Sequence, residues 1–393
     1  MTQHSDVETP RKHADAILQL LANTGPLSRG EIARRSGISR TTLSELTSTL
    51  LAQGAIVVTG TDADNRDGRG RPAERLALDP GAAQYVGIDF ARERVLIAVA
   101  NASHEIITEG HAAYSSQTSW TERVELAIGL LESLAGEAEI RLDALRAIAI
   151  GFPRPQDPHR EPTSGENSES LLVRERFAER FQVPVLVDNN VRFAALGEAS
   201  WGRDNNSAHL LYIRVSSGIG GGIVVDGRVQ SGAFGFAAEL GHVTVDRAGV
   251  TCQCGKRGCL ETVASIGSVI DSCRSVGALV ESADDVRAAA AIGDPLVIDV
   301  LRKAADAIGR VLGNSAVVLN PSEIVVAGEV VSLSPSILKD IERVVRYELI
   351  PSPNRTIPVR EARLGDNAGA YGALVALFRQ PTSRTQLDIP YYV

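Results

Sequence analysis

The sequence predicts a mostly helical N-terminal module of winged helix-turn-helix type joined to a larger α/β body. Three observations lead there. Apolar residues between Ala14 and Leu50 recur at helical spacing, broken at Gly25-Pro26 and Ser36-Gly37. Two β-prone runs, Ile56–Val58 and Arg75–Leu78, bracket a long polar loop. Beyond residue 80, strand-like runs at Tyr85–Phe90, Val95–Ala100 and Ile106–Gly110 precede a helical stretch at 119–138 and an apolar run at Leu145–Gly151, with further strands at His209–Val215 and Gly222–Val225.

In the N-terminal module, Ala14, Ile17, Leu18 and Leu21 form one apolar face, and Gly25-Pro26 ends that helix. Ser28-Arg29-Gly30-Glu31 has capping-box spacing and starts a second helix with Ile32 and Ala33 inward. Ser39 is placed to cap a third helix, in which Leu43, Leu46 and Leu50 repeat at i, i+3 and i+7. Helix, tight turn and helix at this spacing make a helix-turn-helix. The polar face of the third helix carries Arg40, Thr41, Ser44, Glu45 and Ser48, groups suited to base edges and phosphates. Arg29 and Thr42 complete the candidate DNA-binding set on the helices. In the loop between the two strands, the run Gly68-Arg69-Gly70-Arg71-Pro72 sets Arg69 and Arg71 beside glycines, which suits a wing entering a narrow minor groove. The alternatives are a small bundle with solvated polar side chains and a plain Arg/Gly linker.

The net charge of −8 speaks against a wholly nucleic-acid-binding chain. Residues 1–80, however, hold ten Lys/Arg and ten Asp/Glu, so the body carries the entire excess. Aromatic residues make up only 4%, which leaves the core to Ala, Val, Leu and Ile. No apolar run approaches the ~18 residues of a membrane span. The N-terminus lacks a charged-then-apolar targeting pattern, so the cytoplasm is the expected location.

Cys252, Cys254 and Cys259 lie within eight residues, with Cys273 apart. Such clustering in a cytosolic chain points to metal rather than disulfides. With His242, the three thiolates complete a closed tetrahedral set for structural zinc, which leaves no position for an activated water. Three clustered buried thiols are the alternative. Glu239 and Glu261 flank the cluster, and carboxylates and imidazole suit sugar hydroxyls, which both donate and accept.

ELGH at 239–242 followed by CQCGKRGCLE at 252–261 resembles the ROK family, which includes repressors and sugar kinases. Further landmarks are Val187-Asp188-Asn189-Asn190 with Ala194–Glu198, Ser217–Gly222, Ile324–Gly328 and Asn367–Ala373. The likeness spans roughly residues 82–380. It implies an actin-like, ribonuclease H-like, two-lobed α/β ATPase fold. The expected division is 1–80 for the winged helix, 81–195 for the first lobe and 196–393 for the second lobe, the last helix returning to the first. A winged helix before this body is the arrangement of the family's repressors.

The resemblance also implies what has changed. The family kinases' catalytic base is the Asp of an Asn-Asp pair, and here the pair is Asn189-Asn190. An amide takes up no proton at neutral pH. Asp188 would point to the other face of a strand. The family's first phosphate loop follows its Asp with Gly-Gly-Thr. Here Asp89 is followed by Phe90-Ala91-Arg92-Glu93, which sets side chains and a repelling charge where backbone must approach phosphate. Asn189, Glu239, His242 and Glu261 match sugar-contacting positions, and Asn190 matches the catalytic position. Arg154 stands where the family usually has Gly, which suits either an anionic or phosphorylated sugar or a blocked pocket.

The expectation is a DNA-binding transcriptional regulator, a repressor of carbohydrate genes, that holds structural zinc and lacks kinase chemistry. Its expected partners are operator DNA, a sugar or sugar-phosphate effector, and copies of itself in a homodimer or homotetramer. The alternatives are a sugar kinase with a fused DNA-binding module and a regulator that has lost sugar binding.

Overall fold

The computed structural model describes residues 13–14, 16–18, 20–21, 24–52, 54–61, 73–154, 156, 168–202, 207–351 and 356–379. Arg69 and Arg71 lie outside these residues. No helix among the described residues is long and apolar enough to cross a membrane.

The N-terminal module packs its helices on a three-stranded antiparallel sheet. Ile17 and Leu21 are buried on the first helix, which ends at Gly25 with φ +73°. Ser28 and Glu31 form a reciprocal capping box on helix Arg29–Ser36, and Gly37 closes it in the left-handed conformation at φ +72°. Helix Arg40–Ala52 follows, with the Thr42 amide donating to Ser39 Oγ. Its buried residues are Leu43, Thr47 and Leu50, while Leu46 is only half-buried. The inward i+4 position thus belongs to a polar residue. Thr47 tolerates burial because its hydroxyl donates to Leu43 O at 2.8 Å and accepts from Arg29 Nε at 3.1 Å. The sheet runs β1 (Leu27–Ser28), β3 (Glu74–Leu78), β2 (Ile56–Thr61), with an irregularity between Val58 and Gly60. The sequence marks β2 and β3 but not the two-residue β1.

The body holds two five-stranded sheets of the same topology. One runs β6 (Ile106–Ala113), β5 (Arg94–Asn101), β4 (Gln84–Phe90), β7 (Leu145–Phe152), β8 (Val185–Asn189). The other runs β11 (Arg228–Val229), β10 (Ile219–Val225), β9 (Leu210–Val215), β12 (Glu323–Ala327), β13 (Val359–Glu361). In each, an antiparallel meander is continued by two parallel strands. This duplicated order is the two-lobed α/β arrangement the sequence predicts. Strand β10 starts earlier than expected, so most of the Ser217–Gly222 glycine run is strand and not loop.

Helix Trp120–Glu137 covers the first sheet and the 25-residue helix Pro295–Leu319 covers the second. Between the sheets, helices Asn190–Trp201 and Ala368–Phe378 lie against each other. Their approach is close enough that a Cβ at Gly372 would sit 1.6 Å from Phe193 O, so a glycine is needed there. The winged-helix core rests against Ala102, in the turn after β5.

Candidate metal centre and ligand cleft

On helix Arg40–Ala52, Arg40, Thr41, Ser44, Glu45 and Ser48 are exposed, and no hydrogen bond ties their side chains into the module among the described contacts. Two members of the predicted DNA-binding set are differently placed. Thr42 Oγ1 is bonded to Ser39 Oγ at 2.8 Å, inside the helix cap. Arg29 joins Thr47 to Glu74, with its Nη1 2.8 Å from the carboxylate, so it braces both helices against β3.

His242, Cys252, Cys254 and Cys259 converge so that their ligand atoms all lie within 4.8 Å of one another. The chain reaches this arrangement by two tight turns, at Gly255 and Gly258, with φ +86° and +64°. A Cβ at Gly258 would meet Asp246 O at 1.4 Å, so that turn also requires absent side-chain bulk. Cys252 Sγ is 3.5 Å from His242 Nδ1, and Cys254 Sγ is 3.6 Å from Cys259 Sγ. A disulfide needs sulfurs ~2.05 Å apart. Tetrahedral zinc with bonds of ~2.3 Å to sulfur and ~2.0–2.1 Å to nitrogen sets its ligands about 3.6–3.8 Å apart. The four residues therefore fit zinc. With Nδ1 turned to the cluster, Nε2 remains as the imidazole's other contact point.

Glu261 connects this loop to the second sheet. Its Oε2 accepts from the Ile219 amide at 2.9 Å and its Oε1 from Gln253 Nε2 at 2.8 Å. Glu239, beside the η-turn Leu240–His242, is half-buried, and burial raises its pKa against the pull of His242 and Arg192. Asn189 caps helix Asn190–Trp201, its Oδ1 accepting from the amides of Val191 and Arg192. That leaves its amide nitrogen for a ligand. Arg154 is paired with Glu169 and stays more than half exposed.

Asn190, the first residue of helix Asn190–Trp201, is buried. Its Nδ2 donates to Asp89 Oδ1 at 3.0 Å and approaches Phe90 O at 3.3 Å. Its Oδ1 accepts from Arg214 Nη2 at 3.1 Å. Both amide protons are therefore engaged by the protein, and only one carbonyl lone pair remains. Asp89, from β4, is fully buried, and burial raises its pKa against Arg214 and Asn190. Arg214 comes from β9 of the other lobe, with Nη1 4.0 Å from Asp89. Asp188 is also buried and is paired with Arg192, so it is no substitute base.

The first phosphate loop differs from its expected geometry. Phe90 does not intrude into it. It is the last residue of β4 and packs edge-on to Trp120, which stacks on Phe152. The loop itself is stitched shut by Tyr114, whose hydroxyl donates to Ala91 O at 2.6 Å. Arg192 and Arg214 are not among the site residues that the sequence marks, and Asp89 is marked there only as the start of the first phosphate loop. Arg214 lies inside an ordinary strand pattern and Arg192 inside a helical one, so no spacing signal marks either.

The ROK family model matches residues 85–380, and the IclR helix-turn-helix domain matches residues 13–60. The chain is 25% identical over 358 residues to the xylose repressor of Bacillus spizizenii, covering 91% of this chain and 92% of that one. It is 30% identical over 311 residues to the glucokinase of Halalkalibacterium halodurans, covering 73% of this chain and 93% of the enzyme. Among solved structures, a ROK family transcriptional regulator described as a homologue of the E. coli MLC protein superposes with a TM-score of 0.76 at 26% identity, over 94% of this chain and 97% of that one. The kinase relative thus covers 73% of this chain, whereas the repressor and the regulator cover 91% and 94%. The chain belongs to the ROK family and carries an IclR-type helix-turn-helix at its amino end.

Proposed function

We propose that this protein is a sugar-controlled transcriptional repressor that binds operator DNA through its winged helix and has no kinase activity. The observation that carries the reading is the state of Asn190. The position of the family's catalytic base is filled by an amide whose protons are spent on Asp89 and Phe90 O, and whose oxygen is held by Arg214. A general base must accept a proton from the attacking hydroxyl, and this group has no such capacity. The likeness to regulators over more than nine-tenths of the chain supports the DNA-binding half.

The exposed Arg40, Thr41, Ser44 and Glu45 would meet the major groove, and Arg69 and Arg71 the minor groove. Glu239, Glu261, His242 Nε2, the Asn189 amide and the free lone pair of Asn190 would bind sugar hydroxyls. Arg154 would favour a phosphorylated sugar over its neutral parent. His242, Cys252, Cys254 and Cys259 would hold zinc, which supplies a rigid cross-link and no chemistry. The Glu261 contacts on Ile219 and Gln253 make that cross-link bear on the cleft. Ligand entering between the lobes would favour one lobe angle, and the contact of the winged-helix core with Ala102 would pass the change to the DNA-binding helix. DNA affinity falls only as far as the ligand prefers the low-affinity state. The protein would act in the cytoplasm as a homodimer or homotetramer on a near-palindromic site.

The test is binding to the protein's own promoter DNA at fixed salt, with and without D-xylose, D-glucose, N-acetyl-D-glucosamine and their phosphates. Release of DNA by one of them supports the reading. Turnover of ATP with any of these sugars would instead establish the kinase alternative.

A further inference from the structure

Arg192 is among the largest side chains that the fold buries completely. Its guanidinium is spent on backbone from both lobes. Nη1 donates to Gly235 O at 3.1 Å, Nη2 donates to Gln156 O at 2.7 Å, and Nη2 also meets Asp188 Oδ1. Gln156 lies past β7 of the first lobe, and Gly235 lies past β11 of the second. Arg192 itself sits in the first turn of helix Asn190–Trp201, beside Asn190. One buried cation thus joins segments from opposite sides of the cleft.

The second-lobe segment needs such a tie. Gly232, Gly235 and the non-glycine Ala238 all have positive φ, +73°, +74° and +63°. For alanine that conformation is strained and persists only when the surroundings impose it. Phe234 and Phe236 are 74% and 64% exposed, so they anchor the segment weakly. It then runs directly into Glu239. Among the described residues, Asp188 Oδ2 and Arg192 Nε are both buried without a hydrogen-bond partner. A two-point ion pair would have used those atoms, so the carbonyls, and not Asp188, set the orientation of the guanidinium.

We propose that Arg192 is the positioning residue of the ligand cleft: its buried guanidinium holds the Gly235–Glu239 segment against the Gln156 end of the first lobe and sets where Glu239 meets the sugar. The proposal rests on the sugar reading above for its ligand, but not for its geometry. The charge of Arg192 reaches the Glu239 carboxyl, in keeping with this placement. Separating the two segments would strip a buried cation of its acceptors, which the interior resists.

The experiment is hydrogen–deuterium exchange on the full, zinc-loaded chain. Arg192→Met is expected to speed exchange across residues 232–243 by at least about tenfold, while Glu323–Ala327 in the central strand stays at the wild-type rate. Arg192→Lys, which keeps a cation but fewer directed donors, should fall between the two. Unchanged exchange at 232–243, or a uniform rise through both lobes, overturns the proposal. Should the single variant fail to fold because Asp188 is left unpaired, Asp188→Leu/Arg192→Met removes both charges and is read in the same way. In parallel, each variant is titrated with D-glucose, D-xylose and N-acetyl-D-glucosamine. Any sugar that wild type binds should bind Arg192→Met at least about tenfold more weakly, equivalent to about 1.4 kcal/mol; equal affinity overturns the proposal. If wild type binds none of them, the sugar reading loses its support, and the exchange result still decides the role of Arg192.

Discussion

Restoring the carboxylate of the family kinases, by Asn190→Asp, does not restore a base in this setting. The new carboxylate would lie 3.0 Å from Asp89 Oδ1, where the amide now donates. At that separation two negative charges repel by about 5.5 kcal/mol at an effective dielectric constant of ~20. Arg214, 3.1 Å away on the other side, returns a similar attraction. What remains is the desolvation of a second charge at a fully buried position and the loss of both amide donors, which strands Phe90 O and Asp89 Oδ1. Each stranded acceptor costs about 1–3 kcal/mol. The variant should therefore be at least about 2–6 kcal/mol less stable than wild type at pH 7.5. Protonating the new carboxyl restores one donor to Asp89. Its folded-state pKa is raised above the unfolded value, so the deficit is largest at high pH and shrinks as pH falls. Urea denaturation of both proteins at pH 7.5 and pH 5, alongside a coupled ATP/D-glucose assay, measures both consequences. Equal stability at pH 7.5 would refute the argument from the buried network. Phosphoryl transfer by the variant would show that the amide alone had silenced an intact kinase.

Other consequences can be measured separately. Native mass spectrometry should find one zinc per chain in wild type and in Cys273→Ser, outside the cluster, but none in Cys259→Ser, which should also melt early; a metal-free wild type would refute the zinc reading. Thr47→Val removes the acceptor of Arg29 Nε from a fully buried site and should cost about 1–2 kcal/mol in chemical denaturation; a neutral result would mean that the Arg29 brace contributes nothing. Arg40→Ala should weaken DNA binding and reduce the magnitude of the log–log salt slope by about 1 if the guanidinium meets a phosphate. His104 stacks on Phe378 with ring centroids 3.7 Å apart, and burial lowers its pKa to about 4. A histidine held neutral stabilises the fold above its unfolded pKa near 6.5, and that contribution is lost as pH falls toward 4. After allowance for its partial exposure, about 1–2 kcal/mol of acid sensitivity should vanish in His104→Asn, compared by denaturation at pH 7 and pH 5.

The order of elements and the Cys/His cluster are both legible without coordinates. Ser28, Glu31 and Gly37 act within a few residues of one another, so caps and turns of the N-terminal module follow from local chemistry. The spacing of Cys252, Cys254 and Cys259 with two glycines likewise writes a metal loop into one short segment, needing only His242 from nearby. The Asn189-Asn190 pair already disclosed a missing base. Tertiary structure alone decided what replaced it. Asp89, Asn190 and Arg214 lie up to 125 positions apart and meet because two sheets of identical topology face each other across paired helices. It also decided that Arg29 pairs with Thr47 and Glu74, and that Arg192 spans both lobes. Local patterns report periodicity and turn chemistry. They carry no record of which distant carbonyl or carboxylate a buried guanidinium will meet, because that is fixed by how the layers pack.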